Sequence, residues 1–202
     1  MEKFSKSELV KLRKIKTPSQ IQSFLNSIPI NFEKEGETCM SPFSVFKKNK
    51  AHCMEGALMA YFLFKLNKKK SWLLHLKTIP HDLDHVICVY KINHLYGAIS
   101  KTNHSVLRFR DPVYKSVREL VMSYFHEYTD DTGRKTLLSY SKLLDLSKED
   151  DSWITDTNDL WYIDRMLDNI EHTKIFDGSR KLLRGADKIE QKAGKILEWK
   201  RR

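Results

Sequence analysis

The chain has 202 residues, 41% of them hydrophobic, which is enough for one substantial buried core with a small appendage. Its longest apolar run, Gly56 to Phe64, is far shorter than the roughly 20 residues that a membrane-spanning helix needs. Three cysteines without regular spacing do not form a disulfide framework, and the first residues lack the apolar stretch of a secretory signal. We therefore expect a cytoplasmic protein with no membrane insertion.

The net charge of +10 is concentrated at the C-terminal end, where residues 180–202 carry nine Lys and Arg against three acidic residues. Basic tails can bind phosphate backbones or anionic surfaces. No zinc finger or RNP-like aromatic pair accompanies this tail. We therefore do not expect nucleic acid to be the main partner, although an adaptor role for the basic tail remains open.

The N-terminal third is predicted to be helical, with one interruption. Two short helices are indicated over 5–16 and 19–28, separated by Thr17 and Pro18. Residues 31–50 mix Gly, Pro, Ser and charged residues, which is typical of an irregular loop. The segment 53–67 that follows is apolar on nearly all sides, so it predicts a central, buried helix.

The middle of the chain is predicted to form an antiparallel sheet. The runs 71–79 and 85–92 are rich in β-forming residues, and 95–100 follows the second run across Asn93-His94, a plausible hairpin turn. That turn would pair Ile92 with Leu95 and place His85 opposite Thr102. Three later segments have helical spacing: 116–128, 159–176 and the basic 179–202. The last has an apolar stripe formed by Leu182, Ala186, Ile189, Ala193 and Ile196.

Cys53, in the stretch "AHCMEGALMA", is the first candidate site residue. Unpaired N–H groups and the positive end of the helix dipole favour a thiolate in the first turn of a helix. The backbone N–H of Cys53 could also stabilise an oxyanion that forms on a substrate carbonyl. The alternative is an inert core residue, since free cysteines are among the most buried side chains.

A nucleophilic cysteine needs a base, and His85 begins a predicted strand. Side chains alternate along strands, so Ser100 shares the face of His85 as its diagonal neighbour, whereas Asn103 points away. Ser100 could therefore orient the imidazole, and a bulge would admit Asn103 instead. His52 is secondary, because adjacent residues at a helix start point apart.

The other residues that could take part in a site are better explained by structural roles. The cluster "HDLDH" at 81–85 offers metal-type ligands, but consecutive strand residues diverge and no second ligand pair follows, so we expect no metal and no other cofactor. Cys88 faces away from His85 and should pack in the core, and Cys39 is most simply a loop cysteine. Gly56 indicates close approach of the helix to the sheet. Glu55 would oppose thiolate formation if its carboxylate met the thiol.

The stretches "AHCMEGALMA", "DHVICVY" and "LYGAIS" resemble the transglutaminase-like superfamily of cysteine enzymes, including its small bacterial members. The resemblance covers roughly residues 20 to 128 and implies a papain-like α+β core with thiol chemistry on amide or acyl groups. Cys53 would be the nucleophile and His85 the general base. Ser100 stands where the family has an Asp, and a serine cannot balance an imidazolium charge. Asparagine orients the imidazole in papain-like enzymes, which keeps Asn103 in consideration.

The sequence thus predicts an α+β protein with a transglutaminase/papain-like core, in which a buried helix bearing Cys53 packs on an antiparallel sheet. The expected divisions are a helical segment at 1–19, the core at 20–135, and a helical extension with a basic final helix at 136–202. The predicted function is a peptidase, amidase or acyl-transfer enzyme whose substrate is a peptide, a protein or a small amide. The alternative is a non-catalytic module that binds a peptide or protein and has a degenerate triad.

Overall fold

The computed structural model describes residues 3–200 and has an α+β architecture around one six-stranded antiparallel sheet, with strand order β4-β3-β2-β1-β5-β6. The strands are β1 (Ser71–Thr78), β2 (His85–Ile92), β3 (Leu95–Ile99), β4 (Arg110–Tyr114), β5 (Leu137–Ser141) and β6 (His172–Lys174). The helices are α1 (Lys6–Arg13), α2 (Pro18–Ser27), α3 (Pro42–Lys48), α4 (Cys53–Leu66), α5 (Val117–Phe125), α6 (Trp161–Asn169) and α7 (Lys188–Gly194). Within this described part, no helix combines the length and the apolar character that crossing a bilayer requires.

Helix α4 lies at the centre of the fold, as its composition predicts. Every residue from Met54 to Phe64 is buried, and the helix ends where the polar Asn67 caps it. It packs on the face of the sheet that carries Leu73, Val86, Cys88, Tyr90 and Ile99. Helix α5 covers the opposite face, where Leu120, Val121 and Tyr124 belong to one buried cluster with apolar side chains of β1, β2 and β3. Both faces of the sheet are therefore buried.

The predicted hairpin and its register are confirmed. Asn93 and His94 have φ values of 48° and 66°, and two successive positive φ values are the signature of a two-residue type I′ turn. The ladder runs from Ile92↔Leu95 to Cys88↔Ile99, as predicted. This register places His85 and Ser100 together at the end of the hairpin away from the turn.

One stretch predicted to be irregular contains a helix. Ser41 accepts a hydrogen bond from the Ser44 N–H, and Pro42 occupies the first helical turn, where its missing N–H costs nothing. The expectation of a loop over all of 31–50 was therefore wrong for Pro42–Lys48. The Ser-Pro start signal was present in the sequence.

The segment after residue 135 is less helical than predicted. It contributes β5 and β6 to the sheet, so the long helix expected over 159–176 ends at Asn169. The predicted basic helix is broken into a short 3₁₀ turn at Arg180–Leu182, helix α7, and an extended piece that pairs with the loop at 103–105. Two residues of its apolar stripe, Leu182 and Ile189, are 81% and 69% exposed. The apolar stripe therefore does not pack as one helical face, and residues 196–198 are held instead by backbone pairing with the loop at 103–105.

Candidate active site

Cys53 is the first residue of α4 and is only partly buried, unlike the other two cysteines. The backbone N–H groups of a first helical turn have no acceptor within the helix, so they point outward toward whatever approaches the helix end. The thiol therefore lies at the positive end of the most buried helix of the fold, on a residue that is partly exposed.

His85 is held in place by the hydroxyl of Ser100, which itself donates a hydrogen bond to a backbone carbonyl. The His85 Nε2 atom lies 2.8 Å from Ser100 Oγ, and Ser100 Oγ donates to the Leu107 carbonyl oxygen at 2.5 Å. Because the single hydroxyl proton of Ser100 is used on Leu107, Ser100 accepts from His85, and the proton of a neutral His85 ring is on Nε2. The lone pair of Nδ1 is then available to the thiol of Cys53.

The carbonyl that accepts from Ser100 belongs to Leu107, whose backbone conformation is unusual. Leu107 has a φ of 58°, in the left-handed region that a leucine rarely adopts. The Glu127 carboxylate accepts from the Leu107 N–H at 2.7 Å and also contacts the Arg110 guanidinium at 2.7 Å. These contacts hold the loop in the conformation that directs the Leu107 carbonyl at Ser100.

The backbone of Ser100 is fixed separately by a buried glutamine. Gln22 of α2 accepts from the Ser100 N–H at 3.0 Å and donates from Nε2 to the Ser100 carbonyl at 2.8 Å. Sequence reasoning missed this contact. The available signal was a glutamine beside Ile21, on the side of α2 that turns inward.

His52 lies against the sulfur, so the expectation that it points away from Cys53 was wrong. Its Nδ1 atom is 4.0 Å from Cys53 Sγ. The physical reason is that His52 is the N-cap and not a helical residue, with an extended backbone at φ −96° and ψ −169°. The ring therefore folds back over the first turn of α4, where Nδ1 also accepts a hydrogen bond from the Met54 N–H at 3.3 Å.

Glu55 is turned away from the thiol and toward the loop that precedes α3. It is completely buried, and its carboxylate accepts hydrogen bonds from the His52 N–H at 2.9 Å, Thr38 Oγ1 at 2.7 Å and the Met40 N–H at 3.1 Å. The expected repulsion between Glu55 and a thiolate is thus replaced by a capping role. The carboxylate ties the loop to the start of α4.

The surroundings of Cys53 favour its thiolate. Burial by itself raises the pKa of a thiol, but hydrogen bonds from His52 and His85 and the positive charges of the two rings outweigh burial and hold the pKa of Cys53 well below its ordinary value. For the two buried cysteines, burial is the dominant cause. It raises the pKa of Cys88 to about 12, and burial together with the charge of Asp164 raises the pKa of Cys39 still further.

Asn103, the alternative partner of His85, is engaged elsewhere. Its side chain donates to the Trp199 carbonyl at 3.0 Å and accepts from the Trp199 N–H at 2.8 Å. Ser100 is therefore the residue that the structure brings to the imidazole.

Gly56 explains how the helix approaches the strand end beside Ser100. A Cβ atom at Gly56 would lie 2.3 Å from the Cβ of Lys101. Lys101 is itself buried, and its ammonium group donates to the carbonyls of Leu25 and Ile28 at the end of α2. The close approach predicted for this glycine is confirmed.

The cluster at 81–85 forms no metal centre. Across residues 3–200, no group of three or more His, Cys, Asp or Glu side chains has an arrangement that could hold a metal ion. Asp84 instead accepts from the Thr78 N–H at 2.7 Å and contacts His75 Nε2 at 3.1 Å, which fixes the turn that leads into His85.

Comparison with known proteins adds no assignment to this geometry. No family model matches the chain, and no curated protein is similar to it at a significant level.

Proposed function

We propose that this protein is a transglutaminase-like cysteine enzyme with a papain-like core, which acts on an amide or acyl group through a Cys53 thioester. The observation that carries the proposal is the position of His85. The ring donates from Nε2 to Ser100, and its proximity to Cys53 lowers the pKa of the thiol. A nucleophile next to an oriented base is the arrangement that covalent catalysis requires.

In the acylation step, the thiolate of Cys53 attacks the carbonyl carbon of the substrate. The oxyanion that develops is stabilised by N–H groups at the start of α4, including that of Cys53. His85, which holds the former thiol proton on Nδ1, gives that proton to the leaving amine as the C–N bond breaks. The products are a thioester on Cys53 and a neutral His85.

In the deacylation step, His85 acts as the base. Its Nδ1 removes a proton from water or from an amine, which attacks the thioester carbon and expels the sulfur as a thiolate. The site returns to a thiolate beside a protonated His85. Water as acceptor gives hydrolysis and an amine gives acyl transfer, with the same residues in the same roles.

Ser100 takes the place of a carboxylate in orienting His85. Because the Ser100 hydroxyl donates its hydrogen bond to the Leu107 carbonyl, it accepts from His85 and fixes the ring and its tautomer without adding a negative charge. The substrate we propose is a peptide, a protein or a small amide. A cytoplasmic setting fits the three free cysteines.

The proposal is tested with 4-nitrophenyl acetate, an activated ester that reports acyl transfer without knowledge of the natural substrate. We expect saturable release of nitrophenolate and an acetyl group on Cys53, located by peptide mass spectrometry. Cys53→Ala should abolish both signals, whereas Cys88→Ala should retain them.

Acetylation of Cys53 no faster than that of exposed lysines would contradict the enzyme and favour the non-catalytic binding module. Acetylation that persists unchanged in His85→Ala would contradict the assignment of His85 as the base.

A further inference from the structure

The C-terminal end of the described chain lies on the loop that carries Leu107, between β3 and β4. Residues 193–199, which are the end of α7 and the extended piece after it, are called here the C-terminal strap. The Ser105 N–H donates to the Ile196 carbonyl at 2.9 Å, and the Glu198 N–H donates to the Asn103 carbonyl at 2.8 Å. The strap is therefore paired with the loop as a short antiparallel strand would be.

Side chains of the loop strengthen this pairing. The amide of Asn103 donates to the Trp199 carbonyl and accepts from the Trp199 N–H, so both of its polar atoms are used on the strap. The Ser105 hydroxyl donates to the Ala193 carbonyl at 2.5 Å. Within the described residues, all the hydrogen bonds that Asn103 and Ser105 make outside their own loop go to the strap.

The strap restrains the loop on both sides of Leu107. The residues just before Leu107, at 103–105, are paired with it, and the Arg108 guanidinium just after Leu107 lies 2.6 Å from the Glu198 carboxylate of the strap. Glu127 adds only the bond to the Leu107 N–H. A leucine in the left-handed region is strained and keeps that conformation only where several contacts determine it together. The strap supplies most of these contacts.

We propose that Asn103 is a positioning residue for the catalytic base. With the strap in place, Asn103 holds the loop in the conformation in which the Leu107 carbonyl accepts the hydrogen bond of the Ser100 hydroxyl, so that Ser100 accepts from His85. Asn103 acts on the imidazole through the loop and not by contact. The catalytic part of this role rests on the proposed function, since it matters only if His85 is the base.

The property that the strap controls is the position of the proton on His85. If the loop relaxes and the Leu107 carbonyl turns away, the Ser100 hydroxyl can donate to Nε2 instead of accepting from it, because a hydroxyl has one proton and two lone pairs. The neutral ring then carries its proton on Nδ1. That nitrogen is the one that has to take the thiol proton of Cys53, so the ring in this tautomer cannot act as the base.

The first test reads the ring directly and needs no activity. It uses ¹⁵N-histidine NMR of Cys53→Ala, which has no thiol to exchange a proton with His85, at alkaline pH, where an imidazole is neutral. The ring signals are assigned by their loss in His85→Gln. We expect a single Nε2–H tautomer in Cys53→Ala and a mixture of both tautomers when Asn103→Ala is added. Asn158→Ala, the same change at an exposed asparagine that bonds to Asp156, should leave the single tautomer.

The second test is the turnover of 4-nitrophenyl acetate. Asn103→Ala should lower kcat by about twofold to tenfold with KM little changed, which is the usual size of an effect carried through neighbouring residues. Once Ser100→Ala has removed the link to the imidazole, Asn103→Ala should have no further effect. A simple loss of folded protein would lower turnover by the same factor with and without Ser100.

The outcomes separate this proposal from the proposed function. A single Nε2–H tautomer in the presence of Asn103→Ala, or the same loss of turnover with and without Ser100, would overturn the positioning role of Asn103 and leave Cys53 and His85 in theirs. A wild-type protein without turnover, in which Asn103→Ala still mixes the tautomers, would overturn the proposed function and support the control of the ring by the strap.

Discussion

Cys53 and Cys88 are thiols of one chain in opposite environments. Cys88 lies in the middle of β2, completely buried under α4, and burial raises its pKa to about 12. Cys53 lies at the first turn of α4 and is partly exposed, and His52 and His85 hold its pKa well below the ordinary value. The comparison shows that the helix start and its two histidines, and not the cysteine itself, create a reactive thiol.

The largest expected effect comes from removing His85, which leaves Cys53, like Cys88, without a catalytic base. His85→Ala removes the base, so we expect the turnover of 4-nitrophenyl acetate to fall by about 10² to 10⁴. Steady-state release of nitrophenolate measures this. A loss smaller than threefold would remove His85 from the mechanism.

The packing that brings α4 to the strand end can be broken at Gly56. Gly56→Ala places a methyl group against Lys101, which is anchored by two carbonyls and cannot move aside. We expect the free energy of unfolding to fall by about 1 to 3 kcal/mol, because overpacking exceeds the roughly 1 kcal/mol by which alanine favours a helix interior.

Urea titration measures the effect of Gly56→Ala, and Gly194→Ala is the matched control. No atom lies within 4 Å of the Cβ position at Gly194, so that variant should be as stable as the wild type or slightly more so. Equal free energies of unfolding for the two variants would show that the close approach of Gly56 to Lys101 does not contribute to stability.

Ser100→Ala tests how much of the reactivity of Cys53 depends on the orientation of His85. The variant keeps both imidazoles but removes the hydrogen bond that holds His85. Without the hydroxyl, His85 loses its partner at Nε2 and its fixed tautomer. We expect turnover to fall by about tenfold, which corresponds to roughly 1.4 kcal/mol in the barrier. Ser100→Thr retains the hydroxyl and should recover most of the activity. Full activity in Ser100→Ala would show that the ring needs no orienting group.

The smallest effect is expected at the other thiol. Cys88→Ala removes a sulfur from a packed core and should lower the free energy of unfolding by about 1 kcal/mol, with turnover unchanged. Thermal unfolding and nitrophenolate release together check this. Loss of turnover in a folded Cys88→Ala protein would contradict the assignment of the reactive thiol to Cys53.

The features that the sequence predicts well are those set by neighbouring residues. The apolar run after Cys53, the Asn93-His94 turn and strand alternation together determine α4 and the register of the hairpin. From that register follows the pairing of His85 with Ser100, which the structure shows as a hydrogen bond.

The features that it does not predict depend on contacts distant in sequence or on cap geometry. Leu107 adopts its left-handed conformation beside Glu127, twenty residues away, so no local pattern indicates it. His52 meets Cys53 because an N-cap residue has a non-helical backbone, and side-chain directions inferred from an ideal helix do not apply there. The basic C-terminal segment has helical spacing, but residues 196–198 pair with the loop at 103–105.

The most direct test of the central claim is the pH dependence of iodoacetamide alkylation, followed for each cysteine by peptide mass spectrometry in the native wild-type protein. We predict that Cys53 reaches its full rate at a pH well below that at which a free thiol ionises, and that Cys39 and Cys88 stay unmodified until the protein unfolds. A Cys53 rate that rises only with the ionisation of an ordinary thiol would contradict the account.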